Sequence, residues 1–438
     1  MEQIKMNQKI KVGFYLHNQG CINVDLRFPE KGNPGIGGAN FFTLAIAYYL
    51  NKFYPEQVEI LLLANITELL PPALKVCYAA NRMDAAIQSE QKGCDIFCFR
   101  AKREEKLSNL IPKLNIKAVA RADNYIVSGL NQIADFSRIK ALVCVGQEQL
   151  DILRDHRVFK KSTRIFCPFD AKNFVPKNEA IERGNTVVFL GNIIPAKGFH
   201  MLARVWPYII KERPDAKLIV IGSAKLYDRN NKLGKWGVAE EVYEANYIRP
   251  FLSDENGNIM ESVHFVGLLG LEKIEILQNA DVGVANPTGV SETFCAAAVE
   301  IQACGTPVVS AAEGGLLDTV AHRKTGLLVK SDKELARSIL YLLNNPGVAK
   351  QLGKNGINFV RDKFSCQESA KQWLELFSDI CNDKPPQQQP IKNNYLYRAK
   401  FLIEIMRILK KYIPPLQNAP ALFEIIFLVK TRLKKIHF

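Results

Sequence analysis

The chain has no CxxC pair, no clustered histidines and no long apolar run, and each absence removes a class of function. Ten cysteines are scattered at 21, 77, 94, 98, 144, 167, 295, 304, 366 and 381. Several sit inside apolar runs such as Ala141–Val145, so they read as reduced, buried thiols of a cytosolic protein and not as a zinc site or disulfide framework. His17, His156, His200, His264, His322 and His437 show no ligand spacing, and no bound metal is expected. No stretch of about 18 apolar residues is present, so no helix should span a bilayer. Met1–Lys11 is polar and charged, without the apolar core of a secretory leader, and a cytoplasmic location is expected. No close internal repeat occurs. With 47% apolar and 23% charged residues, disorder and collagen-like architectures are also excluded.

What is present is a chain of 438 residues, long enough for two or three domains at roughly 150 residues each. Short β-rich apolar runs at Lys9–Leu16, Val58–Ala64, Cys94–Phe99, Ile116–Arg121, Ala141–Gly146 and Thr163–Cys167 alternate with helical spacing at Phe41–Phe53 and Glu148–Arg157. After a polar linker, Pro176 to Asn185, the pattern restarts. Strands are expected at Thr186–Leu190, Lys217–Gly222, His264–Gly267, Val282–Ala285, Pro307–Ser310 and Gly326–Val329. Helices are expected at Phe199–Glu212, Leu271–Asn279, Cys295–Cys304, Leu316–Ala321 and Lys333–Asn344. Such alternation predicts α/β architecture: two doubly wound, Rossmann-like domains, 1–178 and 186–382, facing across a cleft. The stretch between Gly222 and His264 is long for a connection and reads as a helix with an inserted loop. Pro385–Pro390 reads as a second linker, leading to a basic tail, 391–438.

The most informative stretch runs from Ser291 through Glu292, Thr293, Phe294 and Cys295 to Glu300, then on to Gly305 and Pro307. A helix of small residues should begin near Thr293 and stop at Gly305. Its open N–H groups can take an anion. If Glu292 and Glu300 share that helix, they lie about 12 Å apart along it. That is the reach of a nucleotide-sugar from hexose to ribose, so one carboxylate can hold sugar hydroxyls and the other ribose hydroxyls. Two solvated glutamates would give the same spacing. Glu300, however, sits among Ala, Val, Ile and Cys, where an unpaired charge is costly.

Glu292-x7-Glu300 is followed by Gly305-Thr306-Pro307-Val308-Val309, Gly314-Gly315 and Thr325-Gly326-Leu327-Leu328-Val329. In that order, the set resembles the GT4 group of retaining glycosyltransferases with the GT-B fold. The resemblance is strong over about residues 186–345, weaker over 9–175 and absent from the tail. It implies a nucleotide-diphosphate-sugar donor, held at Glu292, Thr293, Phe294, Cys295 and Glu300, and a glycan or lipid-linked acceptor in cell-surface polysaccharide synthesis. It also implies metal-independent transfer with front-face attack.

Lys197, at the mouth of a helix after the strand Val187–Leu190, can neutralise a diphosphate leaving group, although a solvated helix lysine would look the same. The family usually has Arg where this chain has Asn192. Asn33–Asn40, with Gly37 and Gly38, matches the family's glycine loop at the donor phosphates, although a glycine turn alone is weak. On the acceptor side, Arg121 can hold an anion and Asp123 or Asn124 can orient a hydroxyl; Asp123-Asn124 also reads as a simple turn. His17 would face the same cleft or be structural. A GT-B sugar-nucleotide epimerase and a non-catalytic GT-B protein that binds glycan or a partner remain alternatives.

The net charge of +14 is uneven: residues 391–438 hold ten basic and two acidic residues, a net +8. Tyr395–Tyr412 gathers Leu396, Phe401, Leu402, Ile405, Ile408 and Leu409 largely on one side, and Ala421–Val429 is apolar. Two amphipathic helices of this kind suit the interface of an anionic membrane, with peripheral attachment on its cytoplasmic face. Helices packed on the body with a solvated basic face would read the same way. No nucleic-acid-binding module accompanies the charge.

Overall fold

The computed structural model describes residues 9–102, 115–126, 128–176, 184–226, 230–391, 397–417 and 419–426. Among them are two parallel sheets. The first has seven strands, β1 (Ile10–Leu16), β2 (Val58–Ala64), β3 (Lys75–Tyr78), β4 (Ile96–Arg100), β5 (Lys117–Ala122), β6 (Ile139–Cys144) and β7 (Ser162–Arg164), ordered β3-β2-β1-β4-β5-β6-β7. The second has six, β8 (Thr186–Leu190), β9 (Lys217–Ile221), β10 (Val263–Gly267), β11 (Val282–Val284), β12 (Val308–Ala311) and β13 (Gly326–Val329), ordered β10-β9-β8-β11-β12-β13. The strands are short apolar runs because helices cover both faces, so nearly every side chain of β1, β2, β6 and β12 is buried. Each sheet reverses its order beside its first strand, between β1 and β4 and between β8 and β11, and a crevice opens beyond the strand ends there.

The helix Gly38–Phe53 has buried residues on almost every side because it lies between the first sheet and the helix Cys366–Cys381. The latter belongs by sequence to the second unit, 186–382, yet it returns to the first sheet. Trp373 and Phe377 stand edge-on to Phe14 at 6.4 and 6.1 Å. Ser365 caps the helix start through the Glu368 amide, and Lys117 Nζ donates to the Ile380 and Cys381 carbonyls at its end. Where the chain returns, the Phe169 amide donates to the Phe364 carbonyl at 2.8 Å, so the outgoing and returning segments run side by side.

Several expectations need correction. The helix expected over Glu148–Arg157 stops at Asp151; turns follow, then a 3-10 helix at Arg157–Lys161. The long connection after Gly222 holds two short helices, Glu241–Tyr247 and Arg249–Leu252. The buried Glu244 carboxylate ties them down by accepting from the amides of Trp236, Val238 and Ala239. Pro385–Pro390 is no free linker but a strap on the first domain. Thr163 Oγ1 donates to Gln387 O at 2.6 Å, the Arg164 amide to Gln389 Oε1 at 2.7 Å and Arg154 to Gln389 O at 2.8 Å. Most of the linker 176–185 lies outside the described residues. All ten cysteines are reduced thiols outside any disulfide, eight of them buried.

Beyond the strap, the helix Tyr397–Tyr412 packs on the first domain through buried lysines, Lys400 and Lys410. Of the second tail helix, residues 422–426 are helical and 427–438 lie outside the described residues. No helix among the described residues is long and apolar enough to cross a membrane.

Candidate functional site

A cavity of about 610 Å³ lies between the two domains, at the ends of β4 and β8. Its floor on the first domain is the glycine loop. Asn33 shapes that loop: its Oδ1 accepts from the Gly35 and Ile36 amides at 3.0 and 2.9 Å, and its Nδ2 donates to Ile36 O at 2.9 Å. Gly37 then caps the helix Gly38–Phe53, whose first residues line the cavity.

On the second domain, the helix expected from Thr293 begins only at Ala296 and ends at Ala303, with Gly305 left-handed just beyond. Glu292 therefore precedes the helix, in a loop where Ser291 also takes a positive φ, and the 12 Å estimate along one helix does not apply to the pair. That loop lies close against its neighbours. A Cβ at Gly146 or Gly315 would collide with the Thr293 carbonyl, so glycine is required on both sides of it. Thr293 Oγ1 crosses to the first domain and donates to Asp123 O at 2.6 Å. Phe294 also bridges the domains, edge-on to Phe42 and Phe364 at 5.6 and 5.2 Å.

The buried Glu292 carboxylate is held by Lys197 and Asn286, whose nitrogens both reach its Oε2 at 2.7 Å; its Oε1 takes neither bond. Lys197 stands where expected, ending the turn Pro195–Lys197 before the left-handed Gly198 and the helix Phe199–Glu212. Glu300 has a lysine too. Lys273 Nζ lies 3.0 Å from its Oε1 and 3.1 Å from Asn33 O of the opposite domain. Lys273, 4% exposed, was missed by sequence reasoning. The available signal was its place on the Leu277 face of its helix, where a lysine needs a carboxylate partner.

Asn192 completes this wall. It is 2% exposed, lines the cavity, and neither its Oδ1 nor its Nδ2 has a partner among the described residues. A buried carboxamide without partners is costly, and such a group beside a cavity is what a ligand would satisfy. Cys295, at the start of the helix, is no nucleophile: burial first, then the Glu292 charge, push its thiol up to about 12.

Arg121 lies outside the cavity lining. Its guanidinium is buried and occupied: Nη2 donates to Ala39 O at 2.7 Å, Thr43 Oγ1 at 2.6 Å and Asp123 Oδ2 at 2.9 Å. It anchors the glycine loop's helix to β5. Asp123 and Asn124 do line the cavity, and so does Arg100, whose Nε lies 3.5 Å from Asp123 Oδ2. Sequence reasoning did not single out Arg100. His17 bonds Asn65 at 3.0 Å and is not part of the lining. No group of three or more potential metal ligands occurs among the described residues.

Comparison with known proteins agrees with this geometry. Residues 170–359 match the family described as Glycosyl transferases group 1. The chain is 31% identical over 192 residues to a capsular polysaccharide biosynthesis glycosyltransferase, CapM, of Staphylococcus aureus, covering 43% of this chain and 44% of that protein. It is 33% identical over 155 residues to a D-inositol 3-phosphate glycosyltransferase of Jonesia denitrificans, covering 33% and 31%. The chain thus spans less than half the length of these relatives. In fold it resembles sucrose-phosphate synthase from Thermosynechococcus elongatus, with a TM-score of 0.62, 18% identity and coverage of 86% and 100%. It also resembles Anabaena HepE in complex with UDP-glucose, with a TM-score of 0.60, 15% identity and coverage of 84% and 99%. The two facing domains form a GT-B fold.

Proposed function

We propose, for a chain whose residues 170–359 match the glycosyl transferases group 1 family, a retaining glycosyltransferase that moves a hexose from a nucleotide-diphosphate sugar to a glycan or lipid-linked acceptor. The observation that carries the reading is the wall of the cavity. There the orphaned Asn192 carboxamide accompanies two lysine–carboxylate pairs, and a ligand with hydroxyls at both ends and charge between would engage all of them. A cavity of about 610 Å³ falls in the ordinary range for such ligands.

In this reading Glu292 takes hydroxyls of the transferred sugar through its unengaged Oε1, and Glu300 takes the ribose. Lys197 neutralises the diphosphate as its bond to the sugar breaks, which is where charge develops. The Asn192 amide donates to a phosphate oxygen, at the position where the GT4 group it resembles usually has arginine. The second cation comes from Lys273 or Arg100, which line the same cavity. Gly37 and Gly38 let the backbone approach the phosphates. Asp123 and Asn124 border the acceptor, and the departing diphosphate takes the acceptor's proton in a front-face attack. The relative named for capsular polysaccharide biosynthesis supports a role in cell-surface polysaccharide synthesis.

Calorimetric titration with UDP, GDP and ADP, each with and without Mg²⁺, tests the donor site. Binding of one diphosphate without metal is expected. Binding of none would overturn the reading. Turnover of the matching sugar nucleotide only when acceptor is supplied separates transfer from epimerisation, which would release the nucleotide without acceptor.

A further inference from the structure

The tail helix Tyr397–Tyr412 is mounted inside out. Amphipathic helices normally bury their apolar side against the body. Here the body receives charge. Lys400, 4% exposed, reaches Glu148 Oε1 at 2.7 Å and Asp151 Oδ2 at 2.8 Å. Lys410 donates to the Asp155 carbonyl at 2.9 Å, and Glu404 lies 3.5 Å from Arg154. Phe401, Leu402, Ile405, Ile408, Leu409 and Tyr412 recur at helical spacing on the opposite side and stand in solvent, Leu402 58% and Tyr412 70% exposed. Ile413, Ile425 and Ile426, further along the tail, are exposed as well.

We propose that this stripe is the docking face for an anionic phospholipid surface, into which the exposed apolar side chains insert. Charge decides the occupant. Lys411 is exposed over the Tyr412 ring of the stripe, and residues 391–438 carry a formal +8. Lys400 and Lys410 are spent on the body's carboxylates, but the segment stays basic, so a second copy of the chain would bring like charge against like charge, whereas acidic headgroups complement it. The aromatic rings at both ends of the stripe, Phe401 and Tyr412, suit the headgroup level. The buried lysine pairs make the stripe a fixed part of the first domain's surface. The Lys400 pair sits on the helix Gln147–Asp151, whose first amides donate to Asp318 Oδ2 of the second domain at 2.8 and 3.2 Å, and the Lys410 pair on the turn that follows it. The docked surface would therefore lie on the flank of the interdomain cleft.

Vesicle binding needs neither donor nor acceptor, so the inference stands apart from sugar transfer. The test is co-sedimentation of the full chain with vesicles of phosphatidylcholine alone or mixed with phosphatidylglycerol. Partition at least tenfold stronger to the mixed vesicles is expected. The variant F401S/L402S/I405S/L409S should lose at least tenfold of it while keeping its circular dichroism and nucleotide titration. Equal binding by that variant, or no binding by the unaltered chain, would overturn the proposal. So would light scattering that shows a dimer converted to monomer by the same substitutions, because the stripe would then be a self-association face.

Discussion

Buried lysine–carboxylate pairs occur in two regions, and their surroundings differ. In the cleft, Lys197–Glu292 and Lys273–Glu300 line a cavity beside the unpartnered Asn192. Under the tail helix, Lys400 and Lys410 meet Glu148, Asp151 and Asp155, and neighbouring groups take up further bonds: Arg154 on Asp151, the Leu422 amide on Asp155. The bond is the same and its use is different. One set is a wall with room for a third partner; the other is a clasp that holds a segment down.

The sharpest way to break that contrast is Lys400→Met. It takes the lysine from two buried carboxylates, Glu148 and Asp151, of which Asp151 keeps Arg154, and should cost about 3–5 kcal/mol of stability in denaturant unfolding, with nucleotide affinity unchanged. A large affinity change would mean that the clasp also serves the cleft. Lys197→Ala should do the opposite, lowering kcat by roughly a hundred- to a thousand-fold with little change in melting temperature. If it melts the protein as Lys400→Met does, the cleft pair is also a clasp.

A pH titration sharpens the tail side. Burial lowers His156 from 6.5 to about 4, with Arg157 and Lys410 adding repulsion against a weaker pull from Asp135. Its Nδ1 accepts from the Val158 amide, and Glu424 approaches Nε2 at 3.9 Å. The folded form keeps this ring neutral while the unfolded chain takes a proton below 6.5. Stability should therefore fall as pH drops from about 6.5 to about 4, by on the order of 2 kcal/mol. Unfolding curves for His156→Gln that keep the same slope against pH over this window would exclude the ring as the cause. Smallest, Glu300→Gln should weaken diphosphate binding about tenfold, or about 1.4 kcal/mol, and an unchanged titration would remove its ribose role.

The second domain was the more legible half. Gly326–Val329 and Thr186–Leu190 are strands as expected, because buried parallel strands are apolar throughout and end at turn residues. β3 went unseen because an edge strand of four residues, half exposed, has no such signature. The expected helix Glu148–Arg157 failed for a different reason. Asp151, Arg154 and Asp155 turn inward to meet a tail some 250 residues later in the chain, a partner that local periodicity does not encode. In the cleft, Lys197, Glu292 and Glu300 were legible from spacing and composition. Lys273 was not, since its partners come from a distant helix and the other domain. Arg121 was legible as important, but its work is internal, fastening the glycine loop.

The side-by-side passage of the chain at Phe169 and Phe364 has a mechanical consequence. The second domain is spliced into the first, leaving and re-entering at one spot, so both of its tethers share a single pivot. Two bindings at one edge make a book and not a chain of beads. With that bond intact, the covers can swing open but cannot slide or twist freely past each other. Glu292 and the glycine loop would then meet in the same alignment each time the cleft shuts.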